Sequence, residues 1–219
     1  MHDHAFPTPI VERPARGHAD GLLVLHHGRG SHEHDLLGLA DLVDPEQRLH
    51  VASVRAPLQL PGMPGYHWYV VPRVGYPDPD TFHAARALLA RVHDGLWEST
   101  GIDPSRTILG GFSMGSVMSH AMACGGDRPV PAGVLACAGF LPVVEGWELS
   151  LPAAGHGLHT FISHGTADPV MDVGFAHAAA RELSAAGVQV ELHEFAGGHE
   201  VRPDQVLLAR QWVEQLLAR

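Results

Sequence analysis

The sequence predicts an α/β protein, with a mostly parallel central sheet covered on both faces by helices. Three observations carry this. Short apolar runs of strand length alternate with stretches whose apolar residues recur at helical spacing, the pattern of right-handed β-helix-β crossovers. The apolar runs end in turns rich in Gly, His and Asp, where a parallel sheet gathers its sites. No repeat, linker or low-complexity segment divides the 219 residues, a length that suits one domain over 1–219 with 1–20 as a partly irregular lead.

The elements follow in order. Ile10-Val11 is expected on a short edge strand, and Gly21–Leu25 reads as a strand buried on both faces. His26-His27-Gly28-Arg29-Gly30-Ser31 turns the chain into a helix expected from Ser31 or His32 to about Val43, stopped by Asp44-Pro45. Leu49–Val54 is the next strand. From Ala56 to Asp80 the chain is crowded with Pro, Gly and aromatic residues and reads as a long surface loop of functional kind.

Phe82, Ala85, Leu88, Leu89, Val92 and Leu96 mark a helix over Thr81–Trp97, with capping candidates at Asp78–Asp80 and an end at Gly101. Asp103-Pro104 leads into a strand at Arg106–Gly110, which runs into a turn at Gly111 and a helix from Met114 to about Cys124. Further strands are expected at Gly133–Ala138, His159–Ser163 and Val188–Phe195. Helices are expected at Gly174–Ala186 and at Pro203–Leu217, where Pro203 takes a favoured first-turn position.

Composition excludes several function classes. The formal net charge is −10 and all 14 basic residues are arginine, with no basic stripe, so a nucleic-acid surface is not expected. The longest apolar run, around Ala132–Val144, is interrupted by glycines and a proline and is too short to span a bilayer. Met1-His2-Asp3-His4 lacks the basic start and apolar stretch of a signal peptide, giving the expectation of a soluble, cytoplasmic protein. Cys124 and Cys137 lie inside apolar segments and read as buried free thiols rather than a disulfide.

Chemistry is concentrated at Gly111-Phe112-Ser113-Met114-Gly115, a G-x-S-x-G pattern between a strand and a helix. Glycines at 111 and 115 let strand and helix approach, leaving the Ser113 hydroxyl exposed on a strained turn. A serine hydroxyl needs a base to take its proton, and His199 in Gly197-Gly198-His199 is the candidate, with His193 as rival. Asp168, with Asp172 as rival, is the candidate carboxylate to orient that imidazole. The order Ser, Asp, His is the α/β-hydrolase order. Backbone N–H groups of Met114 and Arg29 are the candidate oxyanion donors. Tyr66, Trp68 and Tyr69 are either a substrate wall or a local loop core. The His26, His27, His32, His34, Asp35 cluster lacks metal-ligand spacing, so no metal is expected, and His2 and His4 read as solvated tail.

With these residues assembled, the chain resembles the phospholipase/carboxylesterase family of α/β-hydrolases, small bacterial carboxylesterases and acyl-protein thioesterases among them. The resemblance runs from Leu22 to Leu217 and rests on Leu25-His26-His27-Gly28-Arg29-Gly30, the Ala56-Pro57 loop with Trp68, the Gly111–Gly115 pentapeptide, His164-Gly165-Thr166-Ala167-Asp168-Pro169-Val170 and Gly197-Gly198-His199-Glu200. It implies an α/β-hydrolase fold without a large cap domain. It further implies a hydrolase that needs no cofactor and acts on small-molecule carboxylic esters or thioesters through Ser113, Asp168 and His199. One position departs. Family thioesterases usually carry Gln after the serine; Met114 keeps the amide donor but removes a polar side chain, which weighs against thioesterase or lysophospholipase activity. The expectation is a serine carboxylesterase with an open site for short to medium acyl chains. A lactonase, feruloyl-type esterase or peptidase with the same residues, or an inert small-molecule binding module, are the alternatives. The sequence leaves monomer and homodimer equally open.

Overall fold

A run of four enclosed residues, Leu22 to Leu25, needs apolar cover on both faces, and only the centre of a two-sided sheet provides it. A computed structural model describes residues 6–152 and 157–218, so His2 and His4 lie outside the described residues. It contains strands β1 (Ile10–Arg13), β2 (Gly21–His26), β3 (Leu49–Val54), β4 (Thr107–Phe112), β5 (Gly133–Cys137), β6 (His159–Gly165) and β7 (Gln189–Phe195). Between them run helices α1 (Leu37–Val43), α2 (Pro79–Thr100), α3 (Met114–Ala123), α4 (Gly174–Ala185) and α5 (Pro203–Leu217).

The strands form one seven-stranded sheet in the order β1-β3-β2-β4-β5-β6-β7. Only β1 is antiparallel, pairing Ile10 with Val54 at the edge; the others are parallel. The chain steps outward from β2 to β3 and then crosses back to β4, so the loops leaving β2 and β4 diverge. That divergence opens a crevice at their carboxyl ends. One face of the sheet is covered by α2, α3 and α4, through residues such as Phe82, Leu89, Met118 and Leu183. The other is covered by α1 and α5, through Leu39, Val43, Val206 and Trp212.

The caps explain several boundaries. Helix α2 starts two residues earlier than expected because Pro79 occupies its first turn and the Asp78 carboxylate accepts the Thr81 N–H at 3.0 Å. It ends at Gly101, whose φ of 69° only glycine adopts freely, with its N–H on the Trp97 carbonyl. Helix α1 is shorter than expected, beginning at Leu37 rather than Ser31 or His32. Residues 31–36 instead wrap the rim of the crevice: Ser31 bridges to Tyr66, and Glu33 turns inward onto the Arg55 guanidinium. Strand β4 also runs two residues beyond Gly110, preceded by a 3-10 turn at Pro104–Arg106.

The 56–80 segment has no long element of its own, as expected, yet it is not merely superficial. His67, Trp68 and Tyr69 are buried, and Leu58 pairs with His67 in a short bridge.

Candidate active site

Strand β4 delivers Ser113 to the crevice by a turn that only this glycine pattern allows. A Cβ at Gly111 would lie 2.4 Å from the Gly115 carbonyl carbon, and one at Gly115 would lie 1.8 Å from the His26 carbonyl oxygen. With both absent, α3 seats against β2 and the backbone at Ser113 is forced to φ 55°, ψ −121°. Such a conformation costs a non-glycine residue about 1–3 kcal/mol. The Ser113 N–H donates to the Cys137 carbonyl at 2.8 Å, which ties the strained residue to β5.

Two further strand ends bring partners to it. After β6, the tight turn 166–168 presents Asp168, whose side chain is fully enclosed. After β7, Gly197-Gly198 presents His199. The Ser113 hydroxyl and His199 Nε2 are 2.9 Å apart, and His199 Nδ1 lies 2.7 Å from Asp168 Oδ2. A carboxylate on Nδ1 favours the tautomer with the proton there, leaving Nε2 free to accept from Ser113. The His199 ring rests against Phe112, centroids 4.9 Å apart.

Asp168 is held as a carboxylate. Burial alone would raise its pKa, but the N–H groups of Met171 and Val170 on Oδ1 and the His199 imidazole on Oδ2 outweigh that and hold it below the ordinary value. His164 is a residue that sequence reasoning missed. It is fully buried, donates from Nε2 to the Met171 carbonyl at 2.9 Å and stands 3.5 Å from Asp168 Oδ2. The rivals lie elsewhere. Asp172 caps Gly174 on α4, and His193 stacks on Phe161 at 4.6 Å from β7.

The loop after β2 is fixed from beneath. His27 Nδ1 donates to the Gly28 carbonyl at 2.7 Å while its Nε2 accepts the Ala56 N–H at 3.1 Å, so both neighbours specify one neutral tautomer. Burial lowers the His27 pKa to match. The Gly30 N–H donates to the Tyr66 carbonyl and the Ser31 N–H to the Gly28 carbonyl, which leaves Arg29 at the apex. Met114 is the first residue of α3, so its N–H has no intrahelical acceptor. Both Arg29 and Met114 line the pocket. The Met114 sulfur accepts the Trp68 N–H at 3.3 Å, a contact that fastens the 56–80 loop to α3.

The three aromatics separate. Tyr69 lines the pocket. Trp68 does not: it is fully buried, donating from Nε1 to the His27 carbonyl at 2.9 Å, so it supports the loop after β2. Tyr66 stands behind that loop, its ring beneath the Arg55 guanidinium at 4.5 Å. Arg55 in turn holds Glu33, whose carboxyl that guanidinium drives down to about 2. A substrate-wall role for Trp68 and Tyr66 is therefore corrected to loop support: neither lines the pocket, Trp68 being buried with its indole N–H on the His27 carbonyl and Tyr66 being half-buried against the Arg55 guanidinium.

The histidines near 26–35 also part company. His26 and His27 are buried and hydrogen-bonded, whereas His32 and His34 are exposed.

The pocket beside Ser113 has a volume of about 290 Å³. Its floor is Ser113, Met114 and His199, and its walls include Val71, Val74, Phe112, Phe140 and Met171. Of these walls Phe112 had a signal of its own, as a variable residue of the pentapeptide, while Val71 and Val74 were marked only as part of the 56–80 loop. Among the described residues no helix is long and apolar enough to cross a membrane.

Comparison with known proteins agrees with this architecture. The chain is 26% identical over 202 residues to a putative hydrolase, MhqD, of Bacillus subtilis (strain 168), covering 92% of this chain and 96% of that protein. It is 28% identical over 163 residues to acyl-protein thioesterase 1 of Debaryomyces hansenii, covering 72% and 69%. The fold matches the crystal structure of the Bacillus cereus carboxylesterase with a TM-score of 0.84 over 96% of this chain and 95% of that one, at 24% identity. The phospholipase/carboxylesterase family model matches residues 7–217. From its N-terminal edge strand to its last helix, this chain belongs to the phospholipase/carboxylesterase family of α/β-hydrolases.

Proposed function

We propose that the protein is a serine carboxylesterase that hydrolyses short to medium acyl esters through an acyl-enzyme on Ser113. The observation that carries this reading is the unbroken hydrogen-bonded chain from the Ser113 hydroxyl through His199 to Asp168, opening onto a largely apolar pocket. His199 Nε2 takes the hydroxyl proton as Ser113 Oγ attacks the ester carbonyl. The carbonyl oxygen becomes an oxyanion, which accepts hydrogen bonds from the Arg29 and Met114 main-chain N–H groups. One such donor is worth about 2.7–4 kcal/mol of transition-state stabilisation. The imidazolium then returns its proton to the departing alkoxide, and water repeats the sequence on the acyl-enzyme. Asp168 stays ionised throughout, fixing the imidazole and stabilising its charged form.

A cavity of about 290 Å³ sits at the small end of ligand pockets, which suits short and medium acyl groups. The Met114 side chain, occupied by the Trp68 N–H, offers the acyl group no hydrogen-bond donor, and this favours oxygen esters over the thioester chemistry named for one relative.

Incubation with an organophosphonate, followed by peptide mass mapping, tests the proposal. A single adduct on Ser113, absent from Ser113→Ala, is expected; stoichiometric labelling elsewhere with Ser113 untouched overturns it. A panel of short 4-nitrophenyl esters, thioesters, lactones and peptides then ranks the substrate classes.

A further inference from the structure

We propose that the pocket beside Ser113 selects esters that carry a carboxylate on their acyl or alcohol part, held by the guanidinium groups of Arg29 and Arg73. The proposal rests on the esterase reading for its chemistry but not for its binding site.

Acidic side chains outnumber basic ones in this chain, 24 to 14. An arginine therefore has carboxylates to choose from, and seven of them do pair with one within 4.0 Å. Arg29 and Arg73 both line the pocket, and neither forms an ion pair among the described residues. Among the described residues the Arg29 guanidinium hydrogen-bonds only to the Met63 sulfur, at 3.6 Å, a weak acceptor that leaves most of its N–H donors free. The Arg73 guanidinium carbon sits over the Tyr76 ring, 3.6 Å from its centroid, a cation–π contact that engages the face of the group and uses none of its N–H donors.

Both residues are mounted on anchored backbone. The Tyr76 N–H closes a turn onto the Arg73 carbonyl at 3.0 Å. Within that turn Gly75, at φ 88°, sits so close to Phe175 that a Cβ would lie 2.9 Å from its ring. Phe175 packs on Phe140, itself a pocket wall, at 5.3 Å. Arg29 is held by the bond from Gly30 to Tyr66. Exposed charges held loosely contribute little, whereas a planar fork fixed in place binds a carboxylate through two parallel hydrogen bonds.

Asp35 lines the same pocket and lies beyond 4.0 Å of both guanidiniums. It reduces the positive charge of the mouth without cancelling it. The remaining walls, Val71, Val74, Phe112, Phe140 and Met171, suit the uncharged body of the substrate.

Paired substrates that differ only in charge provide the test: 4-acetoxybenzoate against its methyl ester, and mono-(4-nitrophenyl) adipate against 4-nitrophenyl methyl adipate. The readout is the anionic-to-neutral ratio of kcat/KM, each corrected for the spontaneous rate. At least one pair should favour the anion by about tenfold at low salt, through KM, with the preference falling at 0.5 M NaCl. Arg73→Gln and Arg29→Gln should each lower that ratio severalfold, Arg73→Lys should retain part of it, and Asp35→Asn should raise it. Opposite responses at Arg73 and Asp35 are not produced by a general loosening of the loop. Calorimetric binding of the same two pairs to Ser113→Ala reads the site without turnover. Ratios at or below one in both pairs, with no tighter binding of the anions to Ser113→Ala, overturn the carboxylate proposal even if neutral esters are hydrolysed. Failure to hydrolyse any ester, with anions still bound more tightly, overturns the esterase reading alone.

Discussion

Three histidines packed against the sheet should make this fold sensitive to mild acid. His26, His93 and His120 are buried; His26 and His93 face each other at 3.4 Å between Nε2 atoms. Burial, reinforced by Arg128, lowers His93 to about 3, and burial lowers His120 to about 4. Burial and the neighbouring His93 and His27 push His26 in the same direction. A histidine kept neutral in the fold takes up its proton only on unfolding, so the unfolded chain binds more protons as soon as pH falls through about 6.5. Stability present above that pH is lost progressively until the folded-state value is reached. At pH 5 the unfolded state gains about 2 kcal/mol from each of His93 and His120, about 4 kcal/mol together, with His26 adding to it. Against a typical total of about 5–15 kcal/mol, that is a large share. Urea unfolding followed by far-UV circular dichroism at pH 7, 6 and 5, at constant ionic strength, is the assay. With a slope of about 2 kcal/mol per molar, the midpoint should fall by roughly 2 M between pH 7 and 5. His93→Phe should flatten the pH dependence by about one proton. Midpoints equal at pH 7 and 5 would show that these rings are protonated in the fold or solvated in it, and the predicted acid sensitivity would be wrong.

Other expectations concern the site and its frame. Asp168→Asn should leave KM within a fewfold while lowering kcat by about 10⁴, and Ser113→Ala with His199→Ala should be little worse than either alone; additive losses in steady-state kinetics would break the unit. Gly115→Ala should abolish soluble folded protein, because its Cβ would lie 1.8 Å from the His26 carbonyl oxygen. Gly38→Ala on α1, where nothing lies within 4 Å, should instead raise stability by about 0.5–1 kcal/mol in thermal unfolding. Cys124 and Cys137 are buried and unpaired, their thiols pushed by burial up to about 12, so neither should react with a disulfide reagent at pH 8 until the protein is denatured.

What was legible in the sequence was what local pattern encodes. The succession of apolar runs and helical spacings gave every strand and helix of the sheet's frame, because periodicity reports which faces are buried whatever the partner is. The need for glycine at 111 was legible too, since its close approach to Gly115 is made within one strand-turn-helix unit; the pattern also marked 115, but the backbone that crowds it there is His26 on β2. The order of Ser113, Asp168 and His199 could be read along the chain, but their meeting could not. Ser113 and His199 are 86 residues apart and Asp168 and His199 are 31 apart, and only the register of β4, β6 and β7 sets their atoms within 3 Å. The tertiary structure also decided among neighbours. Tyr66, Trp68 and Tyr69 are alike in sequence, yet Trp68 is drawn under His27 and Tyr66 under Arg55, leaving Tyr69 to the pocket. The start of α1 was decided by a partner 22 residues away, when Arg55 pulled Glu33 inward and held residues 31–36 out of the helix. The same holds for Arg29 and Arg73, two ordinary arginines in sequence, whose freedom from carboxylates depends on where every acidic side chain comes to rest.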